Sequence, residues 1–348
     1  MTAARTASLA RLAPVTDADV VSLTAADAGR LRDLATGLAR DWAATLAAAG
    51  GDRRFDDPAF LDAIAVAAPA MPSVLTTRLL RFRRDASTSG ILLVRGLPVD
   101  DPLPHTPPQG AHQGPWRELF VTSAVQLAVM SMLGDVISYA DEKRGRLIQD
   151  VCPVAGAEQR QENSGSSLLE LHTEDGFHPH RPDFLSLYCL RADPAGQAFT
   201  IFTSARRVLP ALPERHREAL RRPCFRVRLS SSFAAGDAPR YSLPMPVLSG
   251  PDEDPDWCLD LHGMQALDRA GEQALDALVE LTLSDLCGAD LHPGDLLIID
   301  NRLAAHGRTA YRPAHDGTDR WLRRCYSIVD LRRSRCARFR DSRVHKPL

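Results

Sequence analysis

Residues 166–193 read SSLLELHTEDGFHPHRPDFLSLYCLRAD, an apolar run that ends in a His-x-Glu pair, His172 and Glu174. Successive side chains in a strand point to opposite faces, so residues two apart point the same way. An imidazole and a carboxylate at this spacing predict half of a metal site on the inner face of a sheet. The pair alone also fits a hydrogen-bonded surface pair, so the reading needs a third ligand.

That ligand is expected far downstream, where the chain from Leu291 reads LHPGDLLIIDNRLAAHGRTAYRPAHDGTDRWLRRCYSIVDLR. A turn (His292 to Asp295) feeds an apolar strand (Leu296 to Ile299), a polar loop follows, and then comes His306 with Gly307 behind it. Two histidines and one carboxylate from an early and a late strand make a facial triad, which leaves three positions of an iron ion open for substrate and oxygen. Arg320 follows fourteen residues after His306. Its planar, permanently charged fork suits a bound dicarboxylate, since it pairs with a carboxylate through two parallel hydrogen bonds.

LHTED (171–175) followed by HPHRPDFLSLYCLRAD (178–193), then GDLLIIDNRLAAHGRTAYRP (294–313) and DGTDRWLRR (316–324), resembles the iron(II) and 2-oxoglutarate dependent oxygenases of the clavaminate synthase-like group. Within that group the chain is most similar to the hydroxylases of free L-amino acids such as arginine, asparagine and lysine. The likeness runs from roughly Leu133 to Leu331 and is looser in the N-terminal third.

The 348 residues, 44% of them hydrophobic, can bury a large core, and one domain is expected. A net charge of -2 gives no electrostatic reason to propose nucleic acid or a membrane surface as partner. Seven scattered cysteines without a C-x-x-C pair read as reduced thiols, and the N-terminus, MTAARTASLARLAPV, lacks the apolar core of a signal peptide. A cytoplasmic enzyme is expected, and the oligomeric state is left open.

In chain order, residues 1–20 are expected to be a loose arm. Leu31, Leu34, Leu38, Trp42 and Leu46 recur at helical spacing from Thr24 onward, and a second helix is expected from about Asp57 to Arg84. GILLVRGLP (90–98) reads as a buried strand, and DDPLPHTPPQGAHQGP (100–115) as a loop. Trp116 to Leu133 is helical and ends at Gly134, VISYADEKRGRLIQDVCPV (136–154) is a hairpin turning at Gly145, and AGAEQRQENSGSS (155–167) is a polar loop. Further strands are placed at Phe184 to Leu190 and Ala198 to Phe202. Helices first (about 24–135) and short strands later (about 136–335) suggest an α+β, mainly β, fold: a distorted double-stranded β-helix, or jelly roll, with flanking α-helices. Residues 227–251, rich in Ser, Gly and Pro, are read as an active-site lid.

The resemblance implies that His172, Glu174 and His306 hold iron(II), that 2-oxoglutarate is co-substrate with O2, and that Thr200 joins Arg320 on the distal carboxylate. In DRWLRR, Arg320, Leu322 and Arg324 share one strand face while Arg323 faces away, so two guanidinium groups point into one cavity. The resemblance gives Arg324 the α-carboxylate of an amino-acid substrate and Glu142 its ammonium, with Asn163 as a further polar contact. In CLDLHGM (258–264), Asp260 and His262 stand where similar enzymes that bind arginine or lysine carry Asp-x-Asp. One acid and one imidazole imply a polar, nitrogen-bearing side chain: arginine or a relative such as citrulline first, lysine or ornithine second. Glu174 as a ligand disfavours halogenation, whereas desaturation or cyclisation stays open. A non-redox metal-binding jelly roll, a cupin-like isomerase or a sensor, is the alternative, and only a keto-acid co-substrate requires Arg320 with Thr200. Biosynthesis of a natural product such as an antibiotic is the expected setting.

Overall fold

The computed structural model describes residues 12–48, 55–162, 164–234 and 239–348. Near the N-terminus, α1 (Ala25–Asp41) begins at a capping box in which Thr24 and Asp27 satisfy each other's backbone amides. A short α2 (Ala43–Ala48) follows. The helix expected over residues 57–84 is two, α3 (Pro58–Ala67) and α4 (Ser73–Asp85), with a 110° bend between their axes. Pro69 and Pro72 lie in the break, where each lacks an amide hydrogen and disfavours helical backbone in the residue before it. A 3-10 turn (Trp116–Leu119) leads into α5 (Phe120–Leu133). Gly134, which ends it, is extended, and a Cβ there would lie 2.5 Å from the Ile328 carbonyl oxygen. Close approach of helix and sheet, rather than backbone conformation, demands glycine at this point.

The strands before the metal segment are β1 (Ala13–Pro14), β2 (Val20–Ser22), β3 (Ile91–Arg95), β4 (Asp135–Tyr139) and β5 (Ile148–Val151), followed by β6 (Leu169–His172), β7 (Phe184–Arg191) and β8 (Thr200–Ser204). Later come β9 (Phe225–Val227), β10 (Leu248–Ser249), β11 (Asp256–Trp257), β12 (Met264–Ala266), β13 (Cys287–Ala289), β14 (Leu296–Asp300), β15 (Ala304–Arg308), β16 (Trp321–Ile328) and β17 (Val344–His345). Among the described residues the larger sheet has the order β17-β4-β16-β7-β14-β3-β2, with β5 also on β16, and the smaller has β1-β13-β8-β15-β6. Both β1 and β2 are paired, so residues 12–20 are not a loose arm; residues 1–11 of that expected arm lie outside the described residues.

Alternation along the strands builds the layers. Leu93 and Ile91 face the space between the sheets, where Leu187, Leu322 and Tyr326 of the larger sheet meet Phe202 and Ala304 of the smaller. Leu92 and Val94 face the other way, against Leu31, Phe60, Leu79 and Leu127 of the helices. The outer side of the smaller sheet, with Ile201 and Ala305, is covered by α6 (Glu214–Leu220) and α7 (Arg269–Ser284). The fold is therefore α+β, two sheets face to face with helices on both outer surfaces.

Two further expectations are corrected. Strand β8 starts at Thr200 rather than Ala198. The segment around Gly145 is not a hairpin, because β4 and β5 both run antiparallel to β16, at Asp135–Ile137 and Ile148–Val151, and do not pair with each other. Lys143, Arg144 and Gly145 take left-handed backbone, φ 45°, 59° and 76°, which folds the intervening chain into an excursion that rejoins the same line.

Candidate metal centre and active-site cavity

Strand β15 pairs with β6 so that His306 stands opposite His172, with ring centroids 4.5 Å apart. Glu174 is not on the strand, as the two-residue spacing predicted, but in the turn that follows it. The Asn301 side chain holds that turn, accepting from the Glu174 amide at 2.8 Å and donating to its carbonyl at 3.0 Å. Glu174 Oε2 consequently lies 3.4 Å from His306 Nε2 and 4.0 Å from His172 Nε2. One ligand atom from each of the three residues falls within 4.8 Å of the others, a spacing one divalent ion can bridge. His172 Nδ1 meets the Glu170 carbonyl at 2.9 Å, which fixes the ring and leaves Nε2 for a metal. Burial pushes His306 down to about 4, so it is neutral at neutral pH. Burial alone would raise the Glu174 carboxyl, but Arg324 and the two imidazoles override it and hold it below the usual range.

Arg320 is buried, and its Nη2 donates to Thr200 Oγ1 at 3.3 Å. Thr200 is in turn the cross-strand partner of Arg308. Arg308, which the sequence reading missed, is also buried; it donates to the Ser167 carbonyl at 2.8 Å, lies 5.0 Å from the Tyr311 ring, and is lowered by burial to about 10. Among the described residues no carboxylate forms an ion pair with either guanidinium. Two buried cations in one corner are electrostatically incomplete until an anion joins them.

Arg324, by contrast, is fully engaged. Its guanidinium reaches Glu174 Oε1 at 2.8 Å, Glu142, and Gln149 Oε1 at 3.1 Å. The excursion between β4 and β5 carries Glu142 inward, where the Tyr326 hydroxyl donates to its Oε2 at 3.1 Å. Gln149 and Tyr326 are further residues that the motifs did not single out. Gln149 was visible as a polar side chain among apolar neighbours in LIQDV, on the strand position opposite Arg324.

A cavity of about 790 Å³ opens beside these groups, lined by Glu142, Lys143, Arg324, His172 and Glu174 and also by Arg160, Glu170, Asp260, His262 and Arg228. His172 forms a β-bridge with Asp260, which puts Glu170 opposite His262. Asp260 and His262 share the cavity but occupy a turn, with Asp260 Oδ1 accepting from the amides of His262 (2.9 Å) and Gly263 (2.6 Å). Both nitrogens of His262 are taken, Nε2 by Arg228 at 2.7 Å and Nδ1 by Glu170 at 3.3 Å. Leu229 and Ser230 to Ser232, from the segment read as a lid, also wall the cavity, and Phe233 anchors that segment on Tyr139 and Phe177. Asn163 lies outside the described residues.

With this geometry in hand, comparison with known proteins is decisive. The model of the taurine catabolism dioxygenase TauD, TfdA family matches residues 69–326. The chain belongs to the TauD/TfdA family. This family member is 44% identical over 296 residues to an L-asparagine oxygenase from Streptomyces coelicolor, covering 84% of the chain and 86% of that protein. It is 35% identical to an L-lysine 3-hydroxylase from Catenulispora acidiphila, over 80% of the chain and 78% of that protein. A solved structure of asparagine oxygenase in complex with Fe(II), 2S,3S-3-hydroxyasparagine and succinate superposes with a TM-score of 0.86 at 40% identity, over 95% of this chain and 100% of that one. The likeness covers both sheets and the N-terminal helices. The chain is a TauD/TfdA oxygenase.

Proposed function

We propose that the protein hydroxylates an unactivated C–H bond of a free L-amino acid with a polar, nitrogen-bearing side chain, arginine or a relative such as citrulline first and lysine or ornithine second. Iron(II) is the metal, with 2-oxoglutarate and O2 as co-substrates. The observation that carries the reading is the His172/Glu174/His306 triad standing beside a buried Arg320 that has no carboxylate partner among the described residues. A metal-binding jelly roll without redox chemistry has no use for that second feature. The reading also takes the two facing sheets as a distorted double-stranded β-helix and the whole chain as one catalytic domain.

The donor set fits ferrous iron, two imidazoles and a carboxylate on one side of the ion. When bound, iron with 2-oxoglutarate and O2 supplies the oxidising power that turns C–H into C–OH, releasing succinate and carbon dioxide. The chain supplies positioning. Arg320 and Thr200 take the distal carboxylate of the keto acid. The amino acid arrives as a zwitterion and exchanges partners with an existing ion pair: its carboxylate goes to Arg324 and its ammonium to Glu142, which keeps buried charge balanced. Gln149 and Tyr326 hold those two groups in place meanwhile. Asp260 meets the side chain through the oxygen its turn does not use.

One finding favours a second reading: the 44% identity to L-asparagine oxygenase supports a carboxamide side chain. The test is an assay of protein reconstituted with iron without oxygen and then opened to air, in which the amino acids are screened for succinate release coupled to a hydroxylated product. Release with arginine or lysine supports the first reading and release with asparagine alone the second. No coupled release with any amino acid overturns both.

A further inference from the structure

The proposed chemistry leaves one buried cation, Arg308, without a task. It stands on β15 two residues beyond His306, so both side chains point into the space between the sheets. Register places it directly across from Thr200 on β8, and Thr200 Oγ1 is the atom that accepts from Arg320 Nη2 at 3.3 Å. Arg320 enters this corner from the opposite sheet, at the head of β16. Two guanidinium groups, one from each sheet, thus neighbour the same threonine.

The contacts of Arg308 do not compensate its charge. Its Nη2 donates to the Ser167 carbonyl at 2.8 Å, and the guanidinium carbon lies 5.0 Å from the centre of the Tyr311 ring. A carbonyl is a dipole and a ring face a quadrupole, and neither carries a net charge. Among the described residues no acid forms an ion pair with this guanidinium, and the charged group that acts on it is Arg320, a second cation. Arg308 is 3% exposed, and its Nε is buried without a hydrogen-bond partner. An unmet buried donor is costly, and a buried cation beside another cation more so. Pinning the Ser167 carbonyl takes one donor and no charge. What the charge and the spare donor add is attraction for an anion.

We propose that Arg308 is a further binding residue for 2-oxoglutarate, a second cation that acts with Arg320 and Thr200 on the distal carboxylate. The inference rests on the co-substrate reading given above and adds a residue to it. A carboxylate accepts hydrogen bonds on both oxygens, and its charge relieves the repulsion between the two guanidinium groups. The corner then selects among keto acids by charge. One of equal chain length that ends in a methyl group leaves both cations buried and unmet.

Calorimetric titration of iron-loaded enzyme in the absence of oxygen tests this by comparing 2-oxoglutarate with 2-oxopentanoate, which carries a methyl group in place of the distal carboxylate. Wild type should bind 2-oxoglutarate the more tightly. Arg308→Gln, which keeps a donor for the Ser167 carbonyl and removes the charge, should weaken 2-oxoglutarate by about tenfold or more, the effect of losing a charged hydrogen-bond partner. Its affinity for 2-oxopentanoate and for iron should stay as in wild type. Arg308→Lys, charged but without the fork, should lie between the two. The proposal is overturned if Arg308→Gln leaves 2-oxoglutarate binding unchanged, or weakens both keto acids by the same factor, as a residue that only pins Ser167 and Tyr311 would. A measurement with Arg308 in place guards against a variant that fails to fold. Arg320→Gln should still prefer 2-oxoglutarate to 2-oxopentanoate, and complete loss of that preference overturns the proposal. A wild type without any preference for 2-oxoglutarate would count against the co-substrate reading itself, and the proposal would fall with it.

Discussion

At the scale of single residues, the site is a set of charges whose balance depends on what binds. His172→Ala and His306→Ala should each abolish stable iron binding and turnover, since two remaining ligands hold a labile divalent ion poorly; a metal titration of each variant checks this. The two inward arginines should separate by role. Arg320→Lys is expected to raise the KM for 2-oxoglutarate by about tenfold and Arg324→Lys that for the amino acid by a similar factor, because each loses a two-point contact with a different anion. Steady-state kinetics with either substrate varied decides it, and a shared effect on one substrate would refute the assignment. The buried histidines give a pH dependence. Burial lowers His306 and His345 to about 4 and His178 to about 3, against 6.5 for an unfolded chain. Between these values the unfolded state binds more protons, so stability rises with pH across that window and is lost as pH falls from about 6.5 toward 4. Buried Asp300, raised to about 6, opposes this, because its stabilising contribution fades as pH climbs from about 4 to 6. Asp175, Asp256 and Asp295 are raised by burial as well, so the histidine contribution is read by difference: the melting temperature of metal-free His345→Gln should fall less on acidification than that of the wild type.

At the scale of elements, the metal centre depends on how closely β15 approaches β6. Gly307 lies between His306 and Arg308, and a Cβ there would sit 2.4 Å from the Leu169 carbonyl oxygen on the facing strand. Something must shift to admit a methyl group, and the pairing that puts His306 opposite His172 is what gives way. Gly307→Ala should therefore weaken iron by about tenfold to a hundredfold, the range seen when a ligand's supporting contacts are disturbed. A fluorescence or calorimetric iron titration measures it, and unchanged affinity would show that β6 yields without moving its histidine. Helix α5 makes a contrasting case. Its Gln126 donates to Ser186 Oγ at 3.1 Å and the Arg323 carbonyl at 2.8 Å, across the outer face of the large sheet. That helix fixes the strand whose other face carries Arg324.

At the scale of the whole molecule, folding and ligand binding are coupled. The unfolded chain holds no assembled triad and no paired Arg320 and Thr200, so iron with 2-oxoglutarate binds the folded state selectively. At a hundred times the dissociation constant this adds about 2.7 kcal/mol. A melting curve should rise with both ligands present, rise less with either alone, and lose the 2-oxoglutarate increment in Arg320→Lys. Removal of iron with a chelator should return the melting temperature to that measured with 2-oxoglutarate alone.

By itself the sequence singled out the groups to which the proposed chemistry is assigned. The spacing of His172 and Glu174, the far His306, and the period of two in Arg320, Leu322 and Arg324 were all legible, because they are local patterns whose meaning survives without knowledge of what packs against them. The layered α+β plan was legible for the same reason: the uninterrupted apolar runs ILLV and LLIID mark strands buried on both faces. Only the tertiary structure decided what lies opposite what. Glu174 reaches the metal site through a turn held by Asn301, and β4 and β5 share β16 instead of pairing with each other. Pairing register and turn geometry are set by contacts between residues far apart in the chain, and local propensity carries no record of them. The same holds for charge. Arg320 and Arg324 look alike as letters two turns of a pattern apart, yet among the described residues one lacks a carboxylate partner and the other is held by two, because burial and neighbours, not residue type, decide whether a charge is compensated.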